Sequence, residues 1–215
     1  MNFKITFHMN GRGVYHDVNE PTHLDSLICY AMLPDDLLRR RLLRDEMPEE
    51  IDMTSVLERH PCGTYHASAL FCDDVPESLR FWRKKFNVSA ARNVTKGSPN
   101  LTNAIYREYN TPVPLILTRN LHAFASGDGD SIKVLLDENI SHIGKKRAYG
   151  YGKILDISID EQDDDHSLIR DEQAMRWLPY KEGFRQVRLT PPYWSGWDAV
   201  HCCEVGDEIK ENNIR

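Results

Sequence analysis

Residues 142–153 read "HIGKKRAYGYGK": His142, Ile143, Gly144, Lys145, Lys146, Arg147, Ala148, Tyr149, Gly150, Tyr151, Gly152 and Lys153. Three glycines, four cations and two tyrosines fall within twelve residues. The stretch fits neither common phosphate-loop pattern. Tyr149 stands where GxxxxGK[ST], started at Gly144, needs its second glycine, and Leu155 stands where GxGxxG, started at Gly150, needs its last. The order of elements is also reversed, because those loops lead from strand into helix. Here residues 128–139, "DGDSIKVLLDEN", come first, and Ile132, Leu135, Leu136 and Ile140 make one helical stripe. Residues 153–161, "KILDISIDE", follow and set Ile154, Ile157 and Ile159 against Asp156, Ser158 and Asp160, a half-buried strand.

A glycine-rich turn between helix and strand has two physical uses. Glycines let backbone N–H groups curl into a concave nest and let a phosphate backbone come close. Lys145, Lys146, Arg147 and Lys153 would then supply charge, and Tyr149 or Tyr151 a flat face for a base. Alternatively Gly144 caps the helix, the rest is an ordinary turn, and the tyrosines belong to the core. Spacing alone fits both.

Working outward, residues 3–9, "FKITFHM", alternate apolar and polar as a strand does. Residues 11–21 are a turn-rich connection. Residues 22–33 put Leu24, Leu27, Ile28 and Ala31 at helical spacing, with Asp25 in the first turn. Residues 35–46 predict a second helix after Pro34, its arginines at 39–41 forming a solvated face. Residues 63–74 and 78–88 read as two strands paired in a hairpin around "VPE". Residues 89–110 have weak periodicity and suit an inserted hairpin or arm. Residues 112–129 supply one more apolar strand and a loop. From residue 167 on, "MRWLPYKEG", "QVRLTPPYW" and "HCCEVGDEI" add short strands and a Pro-Pro-Tyr-Trp corner. The order strand, helix, strand, strand, helix, strand predicts an α+β fold of ferredoxin-like (RRM-like) β-α-β-β-α-β plan, spanning residues 1–161. Insertions fall at about 34–61, helical, and 84–111, a basic thumb-like arm. Residues 162–215 form a C-terminal β extension on the same domain.

The 215 residues suffice for one large domain or two small ones, and 40% hydrophobic content can build a core. No apolar run approaches the roughly 20 residues that cross a bilayer. The N-terminal "MNFKITFHMNGRG" reads as a strand rather than a signal, so a cytoplasmic protein is expected. Five scattered cysteines with no CxxC pair suit reduced thiols. The net charge of −6 argues against indiscriminate nucleic-acid binding, but its distribution is uneven. Residues 80–107 hold seven cations (Arg80, Arg83, Lys84, Lys85, Arg92, Lys96 and Arg107) and no acid; residues 141–153 hold four cations and no acid. Two basic islands in an acidic body suit a chain that holds a polyanion at chosen surfaces and repels it elsewhere.

The helix, the basic glycine turn and the strand of "IGKKRAYGYGKI" resemble the signature loop of the RAMP superfamily of CRISPR-associated proteins, which are ferredoxin-like RNA binders. The pairing of "FKITFHM" with "PTHLDSLICYAM" resembles that superfamily's first strand and helix, and "RWLP" and "PPYW" are similar to its type IV branch. One departure is Gly144 standing alone before the basic run, where two glycines are usual. The resemblance implies a prokaryotic, non-catalytic subunit that caps a ribonucleoprotein by gripping the 5′ handle of the guide RNA. It implies a backbone subunit and a large subunit as neighbours, and target DNA read indirectly through base pairing. Gly144, Lys145, Lys146, Arg147, Tyr149, Gly150, Tyr151, Gly152 and Lys153 become the RNA-binding loop; Lys84, Lys85, Arg92, Lys96 and Arg107 bind RNA or build the thumb.

Some related proteins cut repeat RNA without metal by using a histidine, or a Tyr/Lys/His group, as the base. His8, His16, Tyr15 and Lys146 are the residues available for that alternative, an endoribonuclease; His142 abuts the loop, and His23 suits a helix cap. No histidine spacing demands catalysis. No HExxH motif or carboxylate cluster points to a metal, and no cofactor is expected. A protein-only scaffold that docks acidic partners is the third possibility.

Overall fold

The structure is a computed structural model that describes residues 1–15, 20–33, 50–72, 77–85, 108–209 and 214. The elements in chain order are β1 (Asn2–Met9), β2 (Val14–Tyr15), α1 (Leu24–Met32), β3 (Glu77–Lys84), β4 (Tyr109–Ile116), β5 (Asn120–Ser126), α2 (Gly129–Asn139), a 3-10 turn (Arg147–Tyr149), β6 (Ile154–Gln162), β7 (Ile169–Arg170), β8 (Gln173–Ala174), β9 (Arg185–Val187) and β10 (Val200–Cys202). The protein is a mixed α+β chain, rich in strands. The expected helix at 35–46 lies outside the described residues.

The main sheet has the order β5-β1-β6, antiparallel throughout. Its register explains its two faces. Phe3, Ile5 and Phe7 sit opposite Ala125, Ala123 and Leu121 on β5, and Ile5 and Phe7 sit opposite Ile159 and Ile157 on β6. All point to one side, where Leu24 and Ile28 of α1 and Ile132 and Leu136 of α2 close the core. Each large apolar side chain buried there contributes about 1.5–3 kcal/mol. The helices form where the periodicity placed them. Asp128 caps α2, its carboxylate accepting from the Ser131 N–H at 3.1 Å.

Three expectations are corrected. Residues 63–74 and 78–88 are not a hairpin: β3 pairs with β4, Lys84 opposite Tyr109, and β2 adds to the other side of β4. Residues 63–72 instead lie along the free edge of β5, through bridges Ala67–Ala125 and Phe71–His122, with His23–Ala69 on their other side. Their small residues, Ala67 and Ala69, fit that crowded edge. The single strand expected at 112–129 is two, β4 and β5. β5 is buried along nearly its whole length, so it shows no alternation to read. The stretch expected to be insertion at 34–61 also reaches the core, since Met53 and Leu57 are buried in it.

The chain beyond residue 167 builds two smaller apolar clusters, one around Leu168, Leu178 and Cys203, the other around Trp177, Val187 and Cys202. It is fastened to the rest by Arg176, which is fully buried. The guanidinium donates to the carbonyls of Tyr65 (2.6 Å), Ala67 (2.9 Å) and Leu189 (3.1 Å) and to the Tyr193 hydroxyl (2.7 Å), and pairs with Asp25 at 3.0 Å. The Pro191–Pro192 bond is cis.

Candidate nucleic-acid interface

The glycine turn is a braced loop. α2 stops at Asn139, with Ile140 as its C-cap, so Gly144 does not cap the helix. The strand pairing resumes early, through the His142–Lys153 bridge and the Ile143 N–H donating to Gly152 O at 2.8 Å. Gly152 N–H donates to Gly13 O at 2.9 Å, and the Asn10 amide donates to Gly150 O at 3.0 Å, tying the loop to the β1–β2 connection. Two glycines are required by packing. At Gly152 (φ +66) a Cβ would run into the Ile143 carbonyl, and at Gly144 (φ +83) it would lie 2.7 Å from Tyr15 O. These two glycines therefore make room for the protein's own backbone.

Bracing pushes the polar side chains outward. Lys145, Arg147 and Lys153 are exposed, Lys146 and Tyr151 half-buried, and Tyr149 52% exposed, so the tyrosines are not core residues. Arg12, exposed in "GRG", adds a cation that the sequence reading left in a plain turn: its Nη1 lies 3.3 Å from where a Gly150 side chain would start. Lys145 Nζ stands 5.4 Å from the Tyr15 ring centroid.

The second basic island reaches the first. Lys146 Nζ lies 3.4 Å from the centroid of Trp82 on β3, and Trp82 meets Tyr109 at 4.9 Å and Tyr149 at 5.8 Å, both edge-on. Arg80, Phe81, Val113 and Tyr151 complete the lining of a small cleft here. Two stretches some sixty residues apart in sequence thus share one surface. Lys84 and Lys85 stand at the end of β3. Arg92, Lys96, Arg107 and His16 lie outside the described residues. Trp82, Tyr109 and Arg12 were not singled out from sequence. The available signal was "RFWRKK", an aromatic pair between cations on a strand.

Of the residues weighed for catalysis, His8 and His142 are hydrogen-bonded within the protein. Both ring nitrogens of His8 are bonded, Nδ1 with Asn120 Oδ1 at 3.0 Å and Nε2 with Ser158 Oγ at 3.1 Å. His142 Nδ1 meets Ser141 Oγ at 3.0 Å. A Ser167–His66–Asp165 grouping looks like a triad but cannot relay a proton, because both partners meet the same nitrogen, Nδ1, at 3.2 and 2.6 Å. Burial would raise the Asp165 carboxyl, yet the hydrogen bonds from His66 and Ser167 outweigh it and hold the acid well below its ordinary range. Burial pushes the Cys202 thiol up to about 12. Among the described residues no group of three or more His, Cys, Asp or Glu is placed to hold a metal, and no helix is long and apolar enough to cross a membrane.

His23 is no side-chain cap. It is fully buried, its ring 4.3 Å from that of Trp177 and 5.0 Å from that of Tyr193, and burial followed by the nearby Arg176 charge drives it well below the ordinary imidazole range. Asp25, beside it, receives the Tyr193 hydroxyl at 2.5 Å, and burial raises its carboxyl despite Arg176. The cluster is closed to solvent and holds the fold rather than a ligand.

The family model for CRISPR type IV associated protein Csf3 matches residues 82–204, more than half of the chain, and begins at Trp82. No curated protein matches.

Proposed function

The chain belongs to the Csf3 family of type IV CRISPR-associated proteins, RAMP-type subunits of an effector complex, and we propose that it is the RNA-gripping cap of that complex. In this reading it holds the 5′ handle of the guide RNA and touches the backbone subunit, with a large subunit nearby and target DNA met only through the guide. The observation that carries the reading is the meeting of two acid-free basic islands at Lys146 and Trp82. A net-acidic protein gains nothing for its own stability by bringing like charges together, whereas a phosphate backbone would neutralise them.

The strand order supports a ferredoxin-like plan. β6, β1 and β5 run in that order, with residues 63–72 bridged to the outer edge of β5, as the two central β-α-β units of such a fold require. The arm that would reach a neighbouring subunit is the stretch read at 84–111, whose described ends face each other at Lys84 and Tyr109. In this reading the subunit is non-catalytic, and the hydrogen bonds of His8 to Asn120 on β5 and Ser158 on β6 tie strands of the main sheet together.

The test is titration of an end-labelled CRISPR-repeat RNA against the full chain between 50 and about 300 mM salt. Replacing Lys145, Arg147 and Lys153 together by Ala should weaken binding and lower the logarithmic salt slope by about 2, at roughly 0.7 for each phosphate left without its cation. An unchanged slope and affinity would refute the interface. Denaturing gels of the same mixtures in chelator decide the enzyme alternative: discrete cleavage abolished by His8→Ala would replace the capping reading with repeat processing.

A further inference from the structure

Charge explains the basic loop but not the aromatic at its centre. Trp177, the chain's buried tryptophan, is 4% exposed, packed among Val187, Cys202 and Leu189 with the His23 ring and the Arg185 guanidinium against it. Trp82 is half-buried, and its neighbours are a lysine, an arginine and two tyrosines set edge-on to it, at a cleft that opens to solvent. Among the described residues it belongs to none of the buried apolar clusters. Lys146, which covers its ring, holds a left-handed backbone (φ 64) that a residue with a side chain adopts only at a cost. The loop thus carries strain to set an ammonium over an indole.

We infer that this cleft takes one unstacked nucleobase of a single-stranded RNA, stacked on Trp82 and flanked by Tyr149, with Arg80 and Lys146 at the adjoining phosphates. The inference rests on the RNA-binding reading above and assigns its base-reading half to the β3–β4 hairpin. Phosphate needs only the exposed cations of the loop; a flat ring beside them adds affinity only for a ligand with a π face. An incoming base would take the face that Lys146 covers, and its ammonium would turn to the neighbouring phosphate. That exchange is favourable, because a stacked base contributes more than a solvent-exposed cation–π pair.

The experiment uses the full chain and the same repeat RNA, plus a set of probes with a single abasic position moved along it. Trp82→Ala should weaken binding roughly ten-fold with an unchanged salt slope, while Trp82→Phe, which keeps a ring, should retain most of the affinity. One abasic position should reproduce that weakening in the parent protein and add nothing in Trp82→Ala. Parent-like binding by Trp82→Ala, or equal sensitivity at every abasic position, overturns the inference while leaving RNA binding intact. Unchanged RNA affinity with loss of co-purifying backbone subunit would make the cleft a protein-binding surface instead. Absence of RNA binding by the parent overturns both readings. If Trp82→Ala does not fold, as read by circular dichroism, the abasic scan on the parent and Trp82→Phe decides.

Discussion

Arg176 is the largest side chain fully buried in this protein, and its partner Asp25 is as deep. A buried ion pair adds little over a well-packed apolar replacement, but removing one partner strands the other. Arg176→Met should therefore cost about 3–5 kcal/mol in urea unfolding, and adding Asp25→Asn should recover part of that cost. His23 gives the cluster a pH dependence. Its folded value is lowered, so below about pH 6.5 the unfolded chain takes a proton that the folded one refuses, and stability falls as pH falls. The charged groups around it are Arg176, Arg185 and Asp25. Arg176 keeps its charge, its own value being raised by Asp25 despite burial, and Asp25 acts in the opposite sense, since its raised carboxyl holds its proton more tightly in the folded state. Relative to His23→Gln, the parent should lose about 0.7 kcal/mol between pH 7.0 and 6.0, with the slope approaching about 1.4 kcal/mol per pH unit below pH 6, measured by unfolding across that range. None of this was legible in the sequence. Asp25 has the spacing of a first-turn acid and His23 that of a cap; their partners stand some 150 residues away, beyond any periodicity.

At the scale of elements, what the sequence revealed depended on how each element is buried. β1, α1, α2 and β6 have one face inward, so their spacing was readable. β5 is buried nearly throughout and is built of Leu-His-Ala-Phe-Ala-Ser, with no β-branched residue, so it read as a loop. The hairpin was assigned to the nearest strand in sequence, whereas β3 pairs with a partner beyond residue 108. The glycine loop was legible as a basic surface, but the purpose of its glycines was not. Gly152→Ala should destabilise the protein by about 1–3 kcal/mol, since positive φ and the Ile143 carbonyl both oppose it. It should also weaken RNA binding without removing a charge.

On the scale of the whole molecule, the islands hold eleven of the 27 basic residues and none of the 33 acidic ones. Sequence showed that segregation; only the fold could show that Lys146 and Trp82 meet. Whole-molecule integrity runs through the same kind of long-range pairing. A chain cut after residue 166 should be insoluble or unfolded by circular dichroism, although β1, β5, β6, α1 and α2 remain, because Asp25 would lie buried without Arg176 and Tyr193.

The tie from Asp25 to Tyr193 also sets a schedule for biosynthesis. The ribosome delivers Asp25 early, but its two partners emerge only after another 150 or more residues. At about 5–20 residues per second, that interval lasts roughly ten to thirty seconds. For most of it β1 waits for its neighbours, since β5 comes at Asn120–Ser126 and β6 only at Ile154–Gln162. A nascent chain of this kind finishes folding almost as it is released, and its demand for chaperone protection falls during translation, before any guide is held.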